Sequence, residues 1–184
     1  MPKPGIEMRL TGVTSTVAAF SQLKAGAQRT VARPAVRAGA SIVSKAAKAN
    51  AKPSSFEDSS GALRRSIGVK VRTARSRGRP SGIYALVGAR QGQGDRQHTD
   101  KRGVTVTRKP FRYDHLVEGG TKPHFAGKGG KQFHPGAEAK PFLGPAFEDN
   151  RVQIESAVRT RLAEEIEKNA RRVAAKQAAK AVSP

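Results

Sequence analysis

The chain has no cysteine and no tryptophan, and only 5% of its residues are aromatic. Without cysteine there is no disulfide, no thiolate metal site and no cysteine nucleophile. With 36% hydrophobic residues over 184, the core is expected to be modest and aliphatic, leaving part of the chain as arm, loop or tail. No apolar run approaches the roughly 20 residues a membrane span needs. Met1-Pro2-Lys3-Pro4-Gly5 lacks the apolar stretch of a signal peptide. A soluble protein made in the cytoplasm, with no membrane partner, is therefore expected.

Acidic residues are also scarce, 14 against 35 Lys and Arg. A magnesium-dependent nucleolytic site needs clustered carboxylates, and the largest group here lies along the last helical segment. The histidines, His98, His115, His124 and His134, offer no pair at tight ligand spacing beside a carboxylate. Ser66 has no evident His/Asp arrangement, and no glycine-rich phosphate loop stands between a strand and a helix. The residues point away from an enzyme and to no metal or cofactor.

What is abundant is positive charge, +21 overall, and it is unevenly placed. Residues 61–112 carry 14 basic and 2 acidic groups, whereas residues 113–146 carry 4 and 3. Such an excess implies an anionic partner, either nucleic acid or an acidic protein surface. Arg72, Arg75, Arg77 and Arg79 fall on alternate positions; Arg90, Arg96, Lys101, Arg102, Arg108 and Lys109 follow. Phosphate contacts from such residues give salt-dependent affinity without sequence reading. Tyr84, Phe111 and Tyr113 are the only aromatics in or beside this stretch, too few for a base-stacking surface.

Along the chain, Glu7–Leu10 alternates as a short first strand, and a helix capped by Thr14, Ser15 or Thr16 follows to about Lys24. After Gly26, Val31, Ala35, Ala38, Ile42, Ala46 and Ala49 recur at steps of three and four, predicting a long alanine-faced helix. Pro34 should kink or restart it, and Lys52-Pro53-Ser54-Ser55 should end it. Residues 67–72 and 83–88 read as strands. Residues 89–112 read as a long basic β-hairpin excursion, and 122–138 as a loop. Ile154, Val158, Leu162 and Ile166 form the ridge of a C-terminal helix, followed by a basic Ala/Lys-rich tail at 171–184. The expected fold is α+β: one domain over 1–170, with an antiparallel sheet from strands near 67–72, 83–88, 104–108 and 113–118. The two long helices flank that sheet.

The organising stretch runs from Tyr113 to Phe147. Its first half, Tyr113-Asp114-His115-Leu116-Val117-Glu118-Gly119-Gly120-Thr121, reads as an apolar strand end entering a glycine pair. Its second half, Ala139-Lys140-Pro141-Phe142-Leu143-Gly144-Pro145-Ala146-Phe147, reads as a wedge held extended between two prolines, with a helix starting only after Pro145. Glu118 either braces its own turn or pairs with a basic residue of a neighbouring subunit, and Phe142-Leu143 is either core plug or interface wedge.

This pairing resembles the tail-completion, head–tail joining (neck) proteins of long-tailed phages. The match is carried by Tyr113, Leu116, Val117, Glu118, Gly120 and Thr121, then by Pro141, Phe142, Leu143, Pro145 and Ala146. Gly61-Ala62-Leu63-Arg64-Arg65-Ser66-Ile67 is similar to the element that follows the long helix in that family. Gly119 stands where an aromatic is more usual and Gly144 where an arginine is. The resemblance implies a structural virion protein forming a homo-oligomeric ring, usually a hexamer. Such a ring caps the tail, joins the head connector or adaptor and the tail tube or tail terminator, and lets genomic DNA pass through unread. The alternative is a stand-alone, sequence-nonspecific nucleic-acid-binding protein.

Overall fold

Two long helices frame the molecule. In the computed structural model, residues 18, 20–51, 61–74, 82–99, 103, 105–127 and 129–182 are described. The expected strand at 7–10 and most of the helix ending near Lys24 lie outside them. Helix α1 (Ala25–Asn50) runs through Pro34 without a break, contrary to the expected restart. One proline forfeits a single backbone bond and costs about 3 kcal/mol in a helix interior. Buried neighbours on both sides, Val31 and Ala35, hold the helix together across it.

The buried ridge of α1 is Val31, Ala35, Gly39, Val43 and Ala47, not the predicted one. Ala38, Ile42 and Ala46 flank it half-buried, and Ala49 is exposed. The reason is Gly39: a Cβ there would lie 2.6 Å from Val158 Cγ2 and 3.1 Å from Ile154 Cγ2. The helix–helix contact is thus centred on a residue with no side chain, which an apolar count overlooks. Helix α5 (Arg151–Val182) runs back along α1. Gly39 meets its first turns, while Asn50 Nδ2, at the end of α1, donates to Phe142 O (3.3 Å) just upstream. The predicted ridge holds, with Ile154 and Val158 buried and Leu162 packed beside them. Asn169 is the last buried residue of α5, and 171–179 are all exposed, so the tail is helical and overhangs the frame.

A short helix, α2 (Ala62–Ser66), leads into strands β1 (Ile67–Thr73) and β2 (Ile83–Ala89). They pair antiparallel from Ile67↔Ala89 to Thr73↔Ile83 and lay one face on α1. Ile67 and Val87 face that core, while Lys70, Arg72, Tyr84 and Leu86 are exposed on the other face. Strands β3 (Arg96–Thr99) and β4 (Thr105–Arg108) form the expected excursion.

The expected four-stranded sheet does not form; the described strands make three separate antiparallel pairs. Pro110, buried and without an N–H to continue a ladder, starts a 3₁₀ turn, and residues 114–119 then form helix α3 (Asp114–Gly119) instead of a strand. Tyr113, Leu116 and Val117 are spaced i, i+3, i+4, which suits one helical face, and Asp114 sits favourably at its positive end. The third pair, β5 (His124–Ala126) and β6 (Gln132–His134), lies where a loop was expected. Helix α4 (Leu143–Glu148) begins two residues before Pro145. Proline is tolerated in a first turn because the N–H it lacks has no partner there anyway.

Candidate functional site

The two halves of the Tyr113–Phe147 stretch are joined by one carboxylate. Glu118, at the end of α3, accepts backbone N–H bonds from Phe142 and Leu143 at Oε2 (2.8 and 2.9 Å) and from Gly144 at Oε1 (2.8 Å). These are the orphan donors at the start of α4, capped from 24 residues away in sequence. Glu118 therefore braces neither its own turn nor, by these contacts, a neighbouring subunit. Beside it, Lys140 N–H donates to Val117 O (2.8 Å). The clamp holds Phe142, wholly buried, between α1, α2 and α4 in one core cluster with Ala35, Leu63 and Ala146.

The loop between the halves is pinned at its base. Thr121 and Ala137 exchange two backbone bonds (2.8 and 3.0 Å). Gly120 (φ +66°) makes this possible, since a Cβ there would stand 2.7 Å from Ala137 O and from Ala139 N. From this base β5 and β6 project, with His124 stacked on His134 (5.1 Å) and Phe125 edge-on to Phe133 (5.5 Å). Phe125 is 69% and Phe133 60% exposed. The signature thus works as a foot, and the hairpin is what the foot presents. Among its residues Tyr113, Val117 and Leu143 pack against the core and Pro145 is half-buried. Leu116 and Pro141 are the exposed members. Gly119 faces open space, so the more usual aromatic would stand on the surface.

The basic residues do not gather into one described patch. Arg72 is exposed on the outer face of β1, opposite Tyr84. Arg90 is exposed, with its stem lying across Gly68, and Lys109 is half-buried beside Pro110. Arg96 and Arg108 are paired in register on β3 and β4. Arg75, Arg77, Arg79, Lys101 and Arg102 lie outside the described residues. Among the described residues no group of three or more His, Asp and Glu is placed to hold a metal ion, and no helix is long and apolar enough to cross a membrane.

Sequence reasoning missed the projecting hairpin. Its signal was legible: His124-Phe125 and Phe133-His134 mirror each other about a tip of glycines and lysines. That is the composition of two short strands and a turn.

A family model described as "Bacteriophage HK97-gp10, putative tail-component" matches residues 16–120, more than half of the chain. The matched span takes in α1, the β1–β2 pair and the helix carrying Glu118, and stops before the amides that Glu118 caps. No curated protein and no solved structure matches the chain.

Proposed function

The chain belongs to the HK97-gp10-like family of bacteriophage tail components, and from that premise we propose that it builds the head-proximal end of the tail. In this reading it assembles as a ring, a hexamer by the resemblance described above. The ring completes the tail, docks on the head connector or adaptor and the tail tube or tail terminator, and surrounds the passing genome. The observation that carries it is the physical union of the two signature halves through Glu118, which gives the neck-protein pattern a structural reason to occur as a pair. A heterologous ring needs two different surfaces on each subunit. The β3–β4 excursion and the overhanging end of α5 both project exposed residues and supply candidates.

Charge fits a lumen or interface that meets phosphate without reading bases: 14 basic against 2 acidic groups in residues 61–112. Gold-labelled antibody against the chain should decorate intact virions at the head–tail junction. Label at the distal tip, or on free heads only, contradicts the placement. Deleting 91–103 should leave a folded monomer that no longer enters particles; retained incorporation removes the excursion from the assembly surfaces. The stand-alone nucleic-acid reading requires submicromolar binding to random DNA with a steep salt slope, and weak binding counts against it.

A further inference from the structure

Two surfaces not used by the clamp match each other in chemistry. The first is the β5–β6 hairpin. Phe125 and Phe133 stand together on one face, and an exposed aromatic pair is the usual anchor of a protein contact. Lys122 and Lys131 are exposed beside them, and no acidic residue occurs between Glu118 and Glu138. The second is a groove of about 590 Å³ along α1 and α5, floored by Ala38, Val152 and Ala157 and edged by Ser156, Thr160 and Glu164. That volume falls in the roughly 300–1,000 Å³ range of clefts that enclose a bound group. Val152 is 81% exposed, the most exposed large apolar side chain among the described residues.

The groove lies in the acidic part of a basic protein. Residues 148–165 carry five carboxylates against three arginines, in a chain of net charge +21. Arg161, which also lines the groove, is engaged by Glu164 and Glu165 (2.8 Å each). Glu148 and Asp149 are exposed one turn before Val152. An apolar floor with an acidic rim faces, on the same chain, an aromatic pair with a basic rim.

We infer that Phe125 and Phe133 of one copy seat in the α1–α5 groove of the next, with Lys122 and Lys131 against its carboxylates. The inference rests on the ring reading and supplies its subunit contact. The hairpin and the groove are different surfaces, so the contact is heterologous and propagates from copy to copy until it closes. It also explains why the hairpin base is pinned so firmly, by the Thr121–Ala137 pair and the Glu118 clamp, although its own strands are only three residues long.

The absence of native cysteine makes the test clean. Gln132→Cys on β6 and Gln153→Cys on the groove place one thiol on each surface while keeping the phenylalanines and the charges. The full-length double variant, purified and also assembled into virions, is treated with a short bis-maleimide. The expected result is a ladder of linked copies ending at the ring number, with each single variant staying unlinked. Adding Phe125→Ser and Phe133→Ser should abolish the ladder while leaving the helical circular dichroism unchanged. Multimers seen by light scattering without a ladder, or a ladder that survives loss of both phenylalanines, overturn this contact and leave the ring reading standing. A chain that is monomeric in solution and present as isolated single copies in virions overturns both. Retention of the hairpin by single-stranded DNA or by another virion protein in place of a second copy also overturns it.

Discussion

Replacing Glu118 should loosen two parts of the molecule that are far apart in sequence. Its carboxylate accepts three backbone N–H bonds of 2.8–2.9 Å in a partly buried setting. Hydrogen bonds to a charged group contribute about 1.5–3 kcal/mol each, but three that share one carboxylate do not add independently. Loss of an ordinary N-cap costs up to about 2 kcal/mol. Between these bounds, Glu118→Ala should destabilise the fold by about 2–4 kcal/mol. Glu118→Gln keeps one acceptor oxygen but turns an amide NH₂ toward another N–H donor, so about 1–2 kcal/mol is expected. For a chain of 184 residues the alanine variant should melt roughly 5–12 °C lower. Urea unfolding followed by circular dichroism measures the stability. Hydrogen exchange should show faster exchange at Phe142, Leu143 and Gly144, with α1 amides near Gly39 unaffected. An alanine variant within about 0.5 kcal/mol of wild type, the range of a neutral surface change, would refute the clamp.

Three further outcomes follow from the same packing. Phe142→Ala, at a wholly buried position, should cost about 3–5 kcal/mol in urea unfolding. Gly39→Ala should destabilise by about 1–2 kcal/mol even though alanine favours a helix by about 1 kcal/mol, because its Cβ meets the stiff Val158. A raised melting temperature would mean the helices are not in contact there. Removing residues 171–184 should lower helical signal but shift stability by less than about 0.5 kcal/mol, since 171–179 are all exposed. A large loss would mean the overhang packs on something.

How much of this was legible in the sequence depended on length and period. The two long helices and strands β1 and β2 repeat a pattern over many residues, and all four formed. The buried ridge of α1 was misplaced because its centre is Gly39, where the contact is made by absence of a side chain. Residues 113–118 were too few for period alone to separate helix from strand, and Pro110 decided the matter by ending the preceding strand. The signature was recognisable as a pattern, but the partners of Glu118 were not. They are backbone amides 24–26 residues away, which no side-chain motif encodes. The aromatic hairpin carried a local signal, mirrored His-Phe pairs around glycines, that the basic charge of the region obscured.

The account's central claim is a joining role at the head-proximal end of the tail, and electron microscopy of particles from a phage lacking this gene tests it most directly. Full heads lying beside separate tails, restored to joined virions when the gene is supplied in trans, are the predicted result. Intact, joined virions from the deletion would contradict it.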